Sequence, residues 1–192
     1  MGVRDELACW TVAQHIALLR AINLGPSRRI AMGELRALLS QRGYGPVRTH
    51  LASGNVLLYS DAVGEELARE LEQQLADAFK LDVPVVVRSP EELADVVLRN
   101  PLGAPAAADP RRYQVTFLSQ TPSVDLLARI DAAAIAPEQV AVSGREVFAW
   151  HPDGIISSPL ARLLGGPRLG VTATARNWNT VTALLRLADS ER

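Results

Sequence analysis

The order in which short β-rich runs and amphipathic segments follow one another constrains this chain most strongly. Apolar or β-branched runs at residues 15–20, 47–51, 55–59 and 83–88 predict four strands. Apolar residues at every fourth position from 67 to 79 predict a helix over 63–79, and a similar pattern predicts one over 30–42. The resulting order is β-α-β-β-α-β, which is the ferredoxin-like signature.

The same order recurs after a connecting helix predicted over 91–99 and a Pro/Ala-rich loop over 100–110. The elements predicted for this second part are strands at 113–118, 140–142 and 146–150, helices over 123–134 and from Pro159 with Ser158 as its cap, a short strand near Val171 and a last helix over 176–188. We therefore predict an α+β protein of two ferredoxin-like halves, a structural duplication. The halves are residues 1–99 and 100–192, and we expect them to form one cooperative unit.

Composition excludes several classes of function. The net charge is −1, from 20 basic and 21 acidic residues, so no overall field attracts a polyanion. Only Tyr59 offers an aromatic ring in the two central strands, which disfavours RNA recognition by base stacking. Cys9 is the only cysteine, so no intrachain disulfide forms. With no secretory leader and no apolar run long enough to span a bilayer, we expect a cytoplasmic protein without membrane association.

Polar residues are concentrated where two predicted segments should meet. Arg20 and Asn23 follow strand one, and Ser53, Gly54 and Asn55 form the turn between strands two and three. In a β-α-β-β-α-β sheet, strand three lies beside strand one, which brings these five residues to one edge. They offer a guanidinium, two amides, a hydroxyl and an accessible backbone, although the same residue types are also preferred in an ordinary turn.

A second polar run lies near the C-terminus. Thr174 is the expected cap of the last helix, which would place Arg176, Asn177 and Asn179 around its first turn. Free N–H groups at a helix N-terminus favour binding of an anion. An arginine at this positive end of the helix dipole is unfavourable unless an anion lies close to it. We predict that both polar groups face one cleft and bind a small anionic or phosphorylated ligand. The alternative is an interaction module in which these residues hold the two halves together, and nucleic-acid binding is the least favoured function.

These polar runs also carry a resemblance to a known family. The segments 17–25, 47–49, 53–56, 100–102 and 174–181 resemble the hallmark blocks of the domain-of-unknown-function 1697 family. The resemblance implies a bacterial protein with a duplicated ferredoxin-like architecture, and it assigns no catalytic residue. Ala21, Pro26 and Ala52 depart from the family pattern, which usually has glycine, glycine and glutamine at these positions.

Recognisable catalytic and cofactor motifs are missing from the sequence. It contains no phosphate-binding loop, dinucleotide fingerprint, nucleophile elbow or zinc motif, so we predict no cofactor and no metal. The histidines His15, His50 and His151 are widely separated, and the run beginning at His151 is typical of a turn. Ser53 with His50 is the one conceivable nucleophile and base pair. Whether the chain is an enzyme, and its oligomeric state, stay open at this point.

Overall fold

The computed structural model describes residues 12–166 and 169–190, so Cys9 and the rest of the first eleven residues lie outside the described part. Its elements in chain order are β1 (Ala13–Leu19), α1 (Met32–Gln41), β2 (Arg48–His50), β3 (Asn55–Ser60), α2 (Gly64–Phe79), β4 (Val85–Arg88), α3 (Pro90–Arg99), α4 (Gly103–Ala108), β5 (Tyr113–Leu118), α5 (Val124–Ala133), β6 (Gln139–Ser143), β7 (Glu146–Trp150), α6 (Pro159–Gly165), β8 (Ala173–Asn177) and α7 (Trp178–Asp189).

The strands form two four-stranded sheets with equivalent strand orders. The first sheet has the order β2-β3-β1-β4 and the second has the order β6-β7-β5-β8. Every described strand pair is antiparallel. Ile16 of β1 lies opposite Arg88 of β4, and Val115 of β5 lies opposite Arg176 of β8. The prediction of a mixed α+β protein is therefore confirmed.

Apolar side chains fill three layers between the sheets and their helices. One face of the first sheet packs against α1 and α2, whose buried leucines include the evenly spaced Leu67, Leu71 and Leu75. Its other face packs with the second sheet and with α3 and α7 in a shared middle core. The remaining face of the second sheet is covered by α5 and α6. The middle core therefore joins residues from both parts of the chain.

The loop predicted over residues 100–110 is partly wrong, because α4 forms within it. Pro105 occupies the first turn of this helix, where a missing N–H group removes no helical hydrogen bond. Three alanines follow, and alanine has the highest helix propensity of any residue. Proline therefore does not indicate a loop here, because a proline in the first turn of a helix does not disrupt that helix.

The predicted end of the chain also needs correction. The strand expected near Val171 is β8, which runs from Ala173 to Asn177 and pairs with β5. The last helix begins at Trp178, and its cap is Asn177, whose Oδ1 accepts a hydrogen bond from the Thr180 N–H at 2.9 Å. Arg176 consequently lies on a strand and not in the first turn of a helix. Pairing with β5 provides hydrogen-bond partners for the backbone of this segment. The polar run therefore contains the end of strand β8 and, directly after it, the start of helix α7.

Candidate functional site

The end of β1 and the turn before β3 are in direct contact, as the predicted topology requires. The Leu19 N–H donates to the Gly54 carbonyl at 2.8 Å. Gly54 has a φ of +78°, and a Cβ placed there would lie 2.7 Å from the Cβ of Leu19. Glycine is required here both for the left-handed backbone and for the close approach of the turn to β1.

The buried guanidinium of Arg176 crosses from β8 to this junction. All five of its N–H groups have acceptors, and none of these acceptors is a carboxylate. The acceptors are Asn55 Oδ1 for Nε, Thr174 Oγ1 (2.7 Å) and the Ala175 carbonyl (2.8 Å) for Nη1, and the carbonyls of Leu19 (2.8 Å), Ser53 (3.1 Å) and Gly54 (3.2 Å) for Nη2. Arg176 thus ties β8 to the first sheet.

The charge of Arg176 is retained despite its burial. Burial lowers the pKa of Arg176 to about 10, which still leaves the guanidinium protonated at neutral pH. Because one side-chain amide, one hydroxyl and four backbone carbonyls accept its hydrogen bonds, its contacts in the described chain leave the positive charge without a negative partner. A cation buried in this way raises the electrostatic potential of its surroundings.

A cleft of about 230 Å³ lies between this junction and the end of α6. Its polar wall consists of Arg20, Ser53, Thr174 and Arg176. None of the lining residues in the described chain is acidic. The structure therefore brings both predicted arginines to one cleft, Arg20 from the end of β1 in the first sheet and Arg176 from β8 in the second sheet.

Arg20 differs from Arg176 in having donors to spare. Its Nη2 donates to the carbonyls of Gly165 at 2.9 Å and Gly166 at 3.2 Å, at the C-terminal end of α6. Its Nε and Nη1 have no acceptor among residues 12–166 and 169–190. Arg20 is half-buried, so these N–H groups can donate to a ligand in the cleft.

Further donors come from the backbone and from a hydroxyl. The N–H groups of Ala21 and Ile22 have no acceptor within the described part of the chain. Ala21 has a φ of 52°, and successive N–H groups beside a left-handed residue can form a concave anion site. The Ser53 Oγ accepts a hydrogen bond from Asn55 Nδ2 at 3.0 Å, which leaves its O–H available as a donor.

The remaining predicted residues build the surroundings of the cleft and do not line it. Asn23 braces the loop after β1, since its Nδ2 donates to the Ile30 and Ala52 carbonyls at 3.0 and 2.8 Å. Asn55 is fully buried behind Arg176. Asn177 caps α7, and Asn179 is exposed on the first turn of that helix. The prediction that Asn177 and Asn179 face the cleft is therefore wrong, because the helix begins later than expected.

A second contact, equivalent to that of Arg176, was not predicted from the sequence. Arg88 at the end of β4 donates through Nε to Glu146 Oε1 at 2.9 Å and through Nη2 to the Leu118 carbonyl at 2.7 Å. Glu146 begins β7 as Asn55 begins β3, and Leu118 ends β5 as Leu19 ends β1. The signal was present, because a basic residue ends the apolar run 83–88 just as Arg20 follows β1.

The cleft beside this second contact has a different charge. It measures about 180 Å³ and is lined by three arginines and three carboxylates, namely Arg88, Arg99, Arg145, Glu92, Asp95 and Glu146. Burial lowers the pKa of Arg88, while the charge of Glu146 opposes that shift. Arg99 Nη2 lies 3.3 Å from Glu146 Oε2, so one buried carboxylate serves two guanidinium groups. The carboxylates of the protein therefore balance the positive charges of the arginines in this cleft.

His50 and Ser53 do not form a nucleophile and base pair in the described chain. No hydrogen bond joins His50 to Ser53, and the Ser53 hydroxyl is bonded to Asn55. His151 is buried, its Nδ1 lies 2.7 Å from Glu138 Oε1, and its carbonyl accepts from the Gly154 N–H at 3.0 Å. The turn predicted at His151 is confirmed by this last bond.

The fold and its two clefts define an α+β protein of two four-stranded antiparallel sheets that share a middle core. The family model described as protein of unknown function (DUF1697) matches residues 12–148, and the chain belongs to this family. The resemblance noted in the sequence is thereby confirmed.

Comparison with solved structures shows the same fold in a bacterial protein. The conserved bacterial protein SP0830 from Streptococcus pneumoniae superposes with a TM-score of 0.75 at 20% identity, over 92% of this chain and 99% of that one. No curated protein matches the chain in a sequence comparison. None of the helices in the described residues has the length and apolar character needed to cross a bilayer.

Proposed function

We propose that the chain binds a small anionic molecule, such as a phosphorylated or carboxylated metabolite, in the cleft between Arg20 and Arg176. One observation carries this proposal: two guanidinium groups line a single cleft whose described lining contains no carboxylate. A buried or half-buried cation is costly unless an opposite charge is close by. An anion from solution would supply that charge.

The two arginines would contribute differently to binding. Arg176 has no N–H group left for a ligand, so it acts through its fixed positive charge. The Nε and Nη1 groups of Arg20 have no acceptor among the described residues, and they would bind the anion directly. The Ser53 hydroxyl and the N–H groups of Ala21 and Ile22 would complete the donor set for a phosphate or carboxylate.

The size and the apolar part of the cleft limit the ligand. A volume of about 230 Å³ falls below the range of roughly 300–1,000 Å³ that is usual for drug-sized ligands. Ile22, Leu24 and Leu164 line the cleft beside the polar wall. These properties favour a molecule with one anionic group and a short carbon skeleton.

A second role is supported for the same polar residues. Arg176 donates through Nε and Nη2 to residues at the junction of β1 and β3, and Arg88 donates through the same two nitrogens to residues of β7 and β5. These contacts favour an architectural function for Arg176 and Asn55, as in an interaction module. Nucleic-acid recognition on a sheet has less support, because the middle core and the helices cover the faces of both sheets.

We also propose that the chain is a duplication of one ferredoxin-like unit, with halves at residues 1–99 and 100–192 that unfold together. The equivalent strand orders support the duplication, as does the matching placement of Arg88 and Arg176. The shared middle core supports cooperative unfolding.

The binding proposal is tested by thermal unfolding with inorganic phosphate, at an ionic strength held constant with sodium chloride. A tenfold excess over Kd adds about 1.4 kcal/mol to the free energy of unfolding. For a chain of this size the midpoint should rise by about 3–6 °C. Arg20→Gln should abolish the rise, whereas Arg111→Gln, at a side chain that is 79% exposed, should keep it. An equal rise in wild type and Arg20→Gln would refute binding at this cleft.

A further inference from the structure

We infer that the first residue of the third strand in each sheet decides whether its cleft accepts an anion. Asn55 leaves the first cleft positively charged, whereas Glu146, at the equivalent position, neutralises the second cleft with a carboxylate. The inference rests on the proposed function, and it assigns a specificity-determining role to Asn55 and to Glu146.

The two positions are equivalent in structure. Asn55 begins β3 and Glu146 begins β7, and their exposed fractions are 0% and 3%. The Oδ1 of Asn55 accepts from the Nε of Arg176, and the Oε1 of Glu146 accepts from the Nε of Arg88. The chemical difference between the two contacts is therefore an amide in one and a carboxylate in the other.

That difference sets the charge which each cleft presents to a ligand. In the first cleft the amide satisfies a donor of Arg176 without neutralising it, and Arg20 adds a second positive charge. In the second cleft Glu146 neutralises one guanidinium and also lies near Arg99, while Glu92 pairs with Arg145. A diffusing anion gains little from a site in which every cation already has a partner.

Asn55 does not line the cleft, so it is a positioning residue that acts through Arg176. An aspartate at this place would keep an oxygen for the Nε of Arg176 and add one negative charge. The second carboxylate oxygen carries no hydrogen, so the bond that Asn55 Nδ2 donates to the His50 carbonyl would be lost, and the bond with Ser53 Oγ would need the Ser53 O–H as its donor. Stability and charge therefore change together in Asn55→Asp, and a neutral substitution is needed to separate them.

The test compares Asn55→Asp with Asn55→Ser, using calorimetric titration with inorganic phosphate on variants that circular dichroism shows to be folded. Both substitutions remove the Nδ2 donor, but only aspartate adds a charge. We expect phosphate binding to weaken at least about tenfold in Asn55→Asp and to stay within about threefold of wild type in Asn55→Ser. The dependence of Kd on salt should also become shallower in Asn55→Asp alone. Equal affinities for the two variants would overturn the inference.

The reciprocal substitution provides a second measurement that does not depend on Asn55. Glu146→Gln leaves the second cleft with three arginines and two carboxylates, and we expect a second phosphate to bind per chain. A stoichiometry unchanged from wild type would contradict the inference for that cleft. Failure of the proposed function can be distinguished from failure of this inference, because the wild-type protein would then bind no phosphate at all.

Discussion

Arg88 and Arg176 occupy equivalent positions in the two sheets, and each guanidinium donates to a backbone carbonyl at the end of the first strand of the other sheet. Arg88 Nη2 lies 2.7 Å from the Leu118 carbonyl, and Arg176 Nη2 lies 2.8 Å from the Leu19 carbonyl. Both side chains are buried. The interface between the two sheets is thus held by a reciprocal pair of polar contacts set at the edges of the apolar middle core.

The first prediction separates stability from binding within the first cleft. Arg176→Met should lower the free energy of unfolding by about 2–4 kcal/mol, because it leaves several buried acceptors without their donor. Arg20→Gln should lower it by less than about 1 kcal/mol, since that side chain is only half-buried. Urea unfolding of both variants measures the difference. A larger loss of unfolding free energy in Arg20→Gln than in Arg176→Met would contradict this prediction, because Arg20 would then have the main structural role.

The second prediction concerns His15, which is buried and whose Nε2 has no partner in the described chain. Burial lowers the pKa of His15 below 6.5, while the Ser60 carbonyl and the nearby Glu92 and Glu91 act in the opposite direction. Below about pH 6.5 the unfolded chain therefore binds a proton that the folded chain does not, and stability falls as the pH falls.

His15→Gln should remove this contribution. The stability difference between wild type and the variant should shrink as the pH is lowered from 7 towards 5, by at most ~1.4 kcal/mol per pH unit. Urea unfolding at several pH values measures it. Curves for the two proteins that remain parallel over this range would mean that His15 titrates alike in the folded and unfolded chains.

The third prediction concerns the strained backbone after β1. Ala21 is exposed and has a φ of 52°, a region that costs an ordinary residue about 1–2 kcal/mol. Ala21→Gly relieves this cost but increases the entropy of the unfolded chain, so we expect a net gain of roughly 0.5–1 kcal/mol. Urea unfolding of wild type and Ala21→Gly measures this gain. Ala52→Gly, at an exposed residue outside the left-handed region, should instead lose stability.

Much of the fold was predictable because strand and helix periods are local signals. The evenly spaced leucines of α2 predict a helix, and the order of elements predicts that Gly54 lies next to the end of β1. The error at residues 173–179 has a tertiary cause. Thr174 and Asn177 are both good helix caps, and only the pairing of β8 with β5 selects Asn177.

The charge pattern of the candidate site was only partly predictable. Arg20 and Arg176 are unusual in the sequence, but the sequence does not reveal that every described acceptor of Arg176 is uncharged. Glu146 follows an ordinary hairpin turn, and its role depends on Arg88, which lies 58 residues away. Contacts between distant elements carry no periodic signal, so the equivalence of Asn55 and Glu146 became evident only in the structure.

The last prediction tests whether the two halves unfold as one unit. A fragment ending at Arg99 would lose the second sheet and α7, which cover Ile16, Leu18 and Val86 in the middle core. It would also leave the Arg88 guanidinium without Glu146 and without the Leu118 carbonyl.

We expect this fragment to lack a sharp thermal transition, while the full chain melts in a single one by calorimetry. Mixing it with the complementary fragment from residue 100 should restore part of the transition, because both fragments recover the same core. A fragment that melts sharply alone, with its full helical signal, would show independent halves. In that case the reciprocal arginines would join two domains that are already stable, and Arg176→Met would separate them without unfolding either.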